Sequence, residues 1–201
     1  ENSAAVTYDG TEHSVTGYKS MTADNTLYDV EKNVAEKPTK AWTAKGTDAG
    51  EYPVGIVSGD FRNTSKNFTN VEFVIVDGTL KIDPVSDKVT VTITENADTV
   101  IYDTKEHSVT GYKSMTADNA LYDVTTSVHA TETAAWTASG TYVGTYHVGI
   151  KAADFKNTSG NFTNVEFVIV DGDLVITPAS VAVVKIAGNT KTVTYNGEEQ
   201  S

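Results

Sequence analysis

The chain states one sequence twice and begins it a third time. Tyr8-Asp9-Gly10-Thr11-Glu12-His13-Ser14-Val15 returns as Tyr102-Asp103-Thr104-Lys105-Glu106-His107-Ser108-Val109, and the opening returns again as Tyr195-Asn196-Gly197. Between residues 8–84 and 102–178 the match keeps a constant offset of about 94 without a gap, with about two thirds of positions identical. A unit of that length can enclose its own core, whereas solenoid units of about 20–50 residues bury their apolar faces only by stacking. Each repeat is therefore expected to be a domain: repeat 1 over residues 1–84, repeat 2 over 85–178, and the start of a third over 179–201. Whole-domain repetition builds length and valency, so the functional expectation leans away from catalysis.

Thr, Val, Ile and Tyr at period two, punctuated by Gly, Asn and Asp, predict strands throughout and no long amphipathic helix. Val89, Val91 and Ile93 share one strand face with threonines on the other, and the run is expected to return as a hairpin through Glu95-Asn96-Ala97-Asp98. A second hairpin is expected where Asp77-Gly78, copied as Asp171-Gly172, joins two alternating runs, because this pair tolerates the positive φ of a two-residue turn. Pro53 has no N–H for a ladder and predicts an edge strand. Residues 58–63 fit one short helical turn, with Phe61 and Phe68 directed into the core.

Glu1-Asn2 aligns with Glu95-Asn96, so repeat 1 starts after the counterpart of residues 86–94, while residues 180–187 supply that strand for a third copy. The predicted consequence is an unprotected sheet edge in repeat 1, or a domain phase in which residues 85–94 belong to the preceding domain. The expected fold class is all-β: two tandem small β-sandwich (Ig-like) domains in an elongated array, with a β-grasp-like variant as the alternative.

Composition excludes some partners. With 27 Asp and Glu against 15 Lys and Arg the net charge is −12, which argues against nucleic acid and against an anionic membrane surface, since neither has counterions to release to a negative protein. No apolar stretch approaches the roughly 18 residues of a membrane span, so no membrane insertion is expected. The absence of cysteine leaves the compartment open. A monomer is expected.

Candidate chemistry is sparse. Glu12-His13 and Glu106-His107 resemble acid–base pairs, but adjacent strand residues point to opposite faces and cannot converge on one atom. Asp24 with Asp29, copied as Asp118 with Asp123, lacks the dense spacing of a calcium loop. No catalytic residue, cofactor or metal site is expected. Asn63-Thr64-Ser65 and Asn67-Phe68-Thr69, with copies at 157–159 and 161–163, read as glycosylation acceptors or as local backbone caps, and capping is preferred. Trp42 and Trp136 are read as core anchors rather than sugar platforms. Differences between the copies cluster over residues 31–40 against 125–134, and over 45–59 against 139–153. Drift on a solvated face accounts for this; the functional reading is a partner-binding surface made of Glu31, Lys32, Glu36, Lys37 and Lys40 in repeat 1, and Thr125, Thr126, His129 and Glu132 in repeat 2.

Tyr8-Asp9-Gly10, the strand start Gly50-Glu51-Tyr52, and Asn67-Phe68 leading to Asp77-Gly78-Thr79-Leu80-Lys81-Ile82-Asp83-Pro84 resemble the tandem bacterial-surface repeat called the MBG domain, YGX type. The resemblance covers nearly all of both repeats through short turn and strand motifs. It implies secreted or wall-anchored proteins whose repeats form stalks or adhesive segments, and no catalytic residues. Repeat 2 departs from it with Thr104 in place of Gly10, which argues against a need for positive φ there. The function expected is a non-enzymatic extracellular adhesin or stalk segment that binds host proteins or glycans. Two alternatives are an immunoglobulin-binding surface protein using a strand edge or variable loops, and an accessory carbohydrate-binding domain of a secreted hydrolase.

Overall fold

Period-two alternation is realised as strand in both repeats, and the fold is all-β. The computed structural model describes residues 1–37, 41–131 and 136–200. Repeat 1 contains β1 (Ala4–Thr7), β2 (His13–Thr16), a one-turn helix α1 (Val30–Asn33), β3 (Val34–Glu36), β4 (Thr43–Gly46), β5 (Gly50–Pro53), β6 (Phe61–Asn63) and β7 (Thr79–Asp83). Repeat 2 contains β8 (Val89–Glu95), β9 (Asp98–Ile101), β10 (His107–Thr110), β11 (Tyr112–Ala117), α2 (Val124–Ser127), β12 (Val128–Ala130), β13 (Thr137–Gly140), β14 (Gly144–His147), β15 (Phe155–Asn157), β16 (Val165–Val170) and β17 (Asp173–Thr177).

In repeat 2 one sheet has the order β11-β8-β16 and another the order β14-β17-β9, with the pairs β10-β13 and β12-β15 beside them. Val89, Val91 and Ile93 from the first sheet and Leu174 and Ile176 from the second meet in a single core with Val148, Ile150 and Phe155. Each such side chain contributes about 1.5–3 kcal/mol by leaving water, so this layer supplies most of the driving force for folding. The threonines of β8 lie on its less buried face, as the alternation predicts. Pro53 ends β5, which pairs only with β7 and is an edge strand, as its missing N–H requires.

Neither expected hairpin forms. β8 and β9 lie in different sheets, as do β16 and β17, and both pairs instead run parallel: β16 with β8, and β17 with β9. The two short links therefore carry neighbouring chains together from one sheet to the other. The glycine of the Asp-Gly pair is needed for close approach rather than for its φ. A Cβ at Gly172 would lie 2.3 Å from the Asn96 carbonyl oxygen, and one at Gly78 would lie 2.1 Å from that of Asn2. Glu95, itself buried, fixes the crossing: its carboxylate accepts from Ile150 N at 2.6 Å and from Gly172 N at 2.8 Å.

Repeat 1 keeps the sheet β1-β7-β5 and the pairs β2-β4 and β3-β6. The third sheet is different. Residues 18–23 and 71–76, the counterparts of β11 and β16, form no strand in repeat 1. The sequence predicted an edge at this position, but its counterpart in repeat 2 is a centre, because β8 is the middle strand of its sheet and both neighbours pair through it. Residues 179–200 carry no strand either, and Val181, Val183, Val184 and Ile186 are exposed.

The short helical turns occur as expected, at Ser58–Asp60 and Ala152–Asp154. Phe61 is buried, but Phe68 is only half-buried while its copy Phe162 is buried. The difference is the neighbour. Tyr8 of repeat 1 packs edge-on against Phe162 at 5.6 Å, and Val85 bridges to the same residue.

The Gly-to-Thr exchange does not relax the turn it occupies. Thr104 has φ 73°, close to the 78° of Gly10, and is the only non-glycine with positive φ among the described residues. A β-branched side chain in the left-handed region is held there by the surrounding structure, since Cβ approaches the following carbonyl at a cost of about 1–2 kcal/mol. Thr104→Gly is therefore expected to stabilise repeat 2 by about 1 kcal/mol, allowing for the entropy of a freer unfolded glycine. A higher midpoint of chemical denaturation is the expected reading; an unchanged or lower one would show that the threonine is not strained.

Candidate binding surfaces

His13 and His107 each find a carboxylate, though not the adjacent one. His13 Nε2 lies 2.9 Å from Asp9 Oδ1, and His107 Nε2 lies 2.8 Å from Asp103 Oδ1, so each ring closes the loop before its own strand. Glu12 instead pairs with Lys45 across β2 and β4 at 3.1 Å. The side-chain hydroxyl of Thr11 bonds Asp9, and with the Thr11 N–H and His13 it holds the Asp9 carboxyl down at about 2. At Asp103 the Lys105 N–H, followed by His107, lowers the carboxyl in the same way. These are turn-locking contacts with no reacting group aimed at them.

Three of the four aspartates considered for calcium, Asp29, Asp118 and Asp123, are occupied otherwise. Asp29 caps α1, accepting from Glu31 N at 3.1 Å and Lys32 N at 3.2 Å, and Asp123 caps α2 by accepting from Thr125 N at 2.9 Å. Asp118 exchanges bonds with β8, accepting from Thr90 N at 2.9 Å through its side chain and donating its own N–H to Thr90 O at 3.1 Å. No cluster of metal-ligating side chains exists among the described residues.

The capping role of the Asn motifs is realised. Asn157 Oδ1 accepts from Tyr122 OH and Ser159 N, and its amide donates to Phe162 O; Asn63 repeats the set with Tyr28, Ser65 and Phe68. Asn161 ties the repeats together. Its Oδ1 accepts from Ala49 N at 2.6 Å and its Nδ2 donates to Asp48 Oδ1 at 2.9 Å.

The variable block sits on α1 and β3 in repeat 1, and on α2 and β12 in repeat 2. Glu31, Lys32, Glu36 and Lys37 are all exposed and fall within one turn and the strand that follows it. Lys32 is paired with Asp29 at 2.5 Å, which raises the lysine and lowers the aspartate. Lys37 Nζ lies 4.0 Å from Asp60. In repeat 2, Thr125 and Thr126 turn their hydroxyls back onto Asp123, leaving His129 as the exposed ring on β12. Lys40 and Glu132 lie outside the described residues.

One contact distinguishes the copies beyond charge. Tyr18 OH donates to Glu36 Oε1 at 2.5 Å, and that bond pushes the phenol up to about 12. Repeat 2 has Ala130 at that position, so Tyr112 keeps the packing on Trp136 and Phe155 that Tyr18 makes on Trp42 and Phe61 but has no carboxylate to bond there.

Trp42 is buried and Trp136 partly so. Each stacks on a phenylalanine, Phe61 or Phe155, at 5.5 Å, and donates its indole N–H to Asp60 or Asp154. Both are anchors, as expected from a short β-domain with few large residues.

One surface feature is hidden by the composition. Between residues 18–24 and 71–76 of repeat 1 runs a groove with a section of about 360 Å³ floored by Tyr18, Met21, Phe61, Phe73 and Ile75. It continues into a wider section of about 680 Å³ beside Asp24 and Asn70. Val74 and Val76 on its rim are 77% and 76% exposed, against 38% and 45% for their copies Val168 and Val170. The sequence signal for it was the alignment of Glu1 with Glu95; what could not be read was that the strand before Glu95 is central. No family model, curated protein or solved structure matches the chain.

Proposed function

We propose that this chain is a non-enzymatic extracellular repeat module of a bacterial surface protein, serving as a stalk and adhesive segment. The observation that carries the reading is the joint between repeats. Repeat 1 presents Tyr8, Asp48 and Ala49 to Asn161 and Phe162 of repeat 2, through hydrogen bonds and an aromatic contact with no intervening linker. At the corresponding corner of repeat 2 Tyr142 and Val143 are exposed; Val143 offers the backbone N–H that Ala49 gives to Asn161, while Tyr142 stands in place of the Asp48 carboxylate. Unit-on-neighbour contact of this kind lets an array extend without a new interface at each step. The MBG-like motifs agree with such a role, outside the cell at the bacterial surface.

Binding to a host protein, an immunoglobulin among them, is the second reading, and the charged stretch from Glu31 to Lys37 favours it. The carbohydrate reading asks for grouped exposed aromatics, and both tryptophans are committed to packing. The test is to titrate the whole chain against serum proteins, mucins and glycans, then repeat any positive with Glu31, Lys32, Glu36 and Lys37 reversed in charge. About a tenfold loss is expected if this face makes the contact, since each desolvated charge pair contributes on the order of a kilocalorie. An unchanged affinity, with Thr125, Thr126 and His129 replaced as well, would move recognition to the residues both repeats share.

A further inference from the structure

We propose that repeat 2 is a tension-bearing unit, in which two parallel ribbons of chain, one at its entry and one at its exit, form a clamp that resists pulling by shear. The inference goes beyond the stalk and adhesive reading, because it concerns how a single repeat carries load and needs no ligand.

The order of pairing makes the clamp. The first ribbon is β8, its short link and β9; the second is β16, its link and β17. β8 runs parallel to β16, from Val89 opposite Val165 to Thr94 opposite Val170, and β9 runs parallel to β17, from Asp98 opposite Leu174 to Ile101 opposite Thr177. The sequence offset between partners is the same on both sides of the links, so the ribbons stay in register while they cross together from one sheet to the other. Pairing also continues past the strands. Val85 N donates to Asn161 O at 2.9 Å and Val89 N to Asn164 O at 2.9 Å at one end, and Tyr102 N donates to Thr177 O at 2.9 Å at the other.

The chain enters the first ribbon from Pro84 and leaves the second through Pro178. Those two points lie at opposite ends of the repeat. Tyr8, just past β1, packs on Phe162 of repeat 2 at 5.6 Å, and a Cβ at Gly10 would lie 3.2 Å from Leu121, whereas Tyr28 and Phe68 at the base of repeat 1 pack on each other at 5.1 Å. The tip of a repeat thus meets the base of the next one and not its own. Tension applied at Pro84 and Pro178 pulls the first ribbon backward along β8 and the second forward along β17. Parallel neighbours drawn in opposite directions along their length are not peeled; the evenly spaced bonds between them are loaded at once and yield together.

Both loaded strands are the middle strands of their sheets, β8 between β11 and β16, and β17 between β14 and β9, so each is held by a ladder on either side. Side-chain bonds between the ribbons reinforce the two ends and the crossing. Thr163 Oγ1 donates to Val85 O at 3.2 Å, Thr177 Oγ1 donates to Val100 O at 3.1 Å, and the buried Glu95 carboxylate accepts from Gly172 N at 2.8 Å.

The test is single-molecule force spectroscopy on the full chain, which has no cysteine of its own, so handles attach only at introduced ones. Asp87→Cys with Ser180→Cys loads the clamp along its length. Asp87→Cys with Asn164→Cys pulls on the adjacent starts of β8 and β16 and so peels the same ladder pair by pair. All three positions are exposed and outside the strands. The first geometry is expected to give one abrupt rupture at a force on the order of threefold above that of the second, because forced unfolding follows the unfolding barrier along the pulled direction rather than the equilibrium stability. Denaturant midpoints measured without load should agree between the two proteins. Equal forces along the two directions, stepwise yielding along the first, or a force ratio accounted for by a difference in denaturant midpoint would overturn the proposal.

Discussion

Trp42→Ala is expected to destabilise repeat 1 by about 3–5 kcal/mol, and Trp136→Ala to destabilise repeat 2 by an amount nearer the lower end of that range. The cavity left by an indole is the main term. Trp42 fills the space between Phe61, stacked at 5.5 Å with an interplanar angle of 29°, and Tyr18 at 6.1 Å; Trp136 keeps the same stack on Phe155 at 5.5 Å and 29°. A second term is polar. Asp60 is buried, and the Trp42 indole N–H at 3.0 Å is one of the donors that keep its carboxylate satisfied, with Val57 N at 3.1 Å as another. Losing one donor to a buried carboxylate costs more than losing a neutral pair, so Trp42→Phe, which keeps most of the stack, should still cost about 1–3 kcal/mol. Trp136 is more open to water, and solvent can replace part of its bond to Asp154 at 3.1 Å. Denaturant midpoints followed by far-UV dichroism test both variants. A Trp136→Ala cost under about 1 kcal/mol, with ready fluorescence quenching of Trp136 by an external quencher, would instead make that ring a surface platform.

What the sequence carried well was alternation, and what it carried poorly was the choice of partner. Val89, Val91 and Ile93 face the core because period two is a local property of strand geometry, independent of which strands lie alongside. The two hairpins fail because Asp-Gly and the turn after Glu95 suit a crossing between sheets as well as a reversal within one. A two-residue link is equally short when it passes between sheets, and only the approach of Asn96 to Gly172 distinguishes the cases. Thr104 departs from its sequence expectation for a related reason. A non-glycine in the second copy suggested an ordinary backbone, yet the fold imposes φ 73° on it regardless. The groove was half legible: the alignment gave the place, but an edge and a centre look alike until both neighbours of β8 are known. Of the variable block, exposure was foreseen, whereas the bond from Tyr18 to Glu36 joins residues with no shared motif.

Glu95→Ala should be among the most damaging single changes, at about 3–5 kcal/mol, although nothing in the sequence separates this glutamate from the other acids of an acidic chain. Its side chain is 2% exposed, and it accepts from Ile150 N at 2.6 Å and Gly172 N at 2.8 Å. Removing the carboxylate leaves two backbone donors without their acceptor at the point where β8 and β16 both cross between sheets, and a lost acceptor for a buried donor costs about 1–3 kcal/mol each. Alanine is also too small to refill the space, so the crossing loosens as well as losing its bonds. Repeat 1 supplies the internal control. Glu1 makes the same two bonds, to Ile56 N at 2.5 Å and Gly78 N at 2.7 Å, but is partly exposed, so water can take over after Glu1→Ala and the cost there should stay near 1 kcal/mol. Glu95→Gln keeps an oxygen for one donor and turns an amide toward the other, which places it between the two. Hydrogen exchange gives the site-specific reading: the amides of Ile150 and Gly172 should lose protection in Glu95→Ala before the strands on either side do. Equal costs for Glu95→Ala and Glu1→Ala would mean that burial is not what makes this carboxylate matter, and that the crossing is held by the close approach of Asn96 and Gly172 instead.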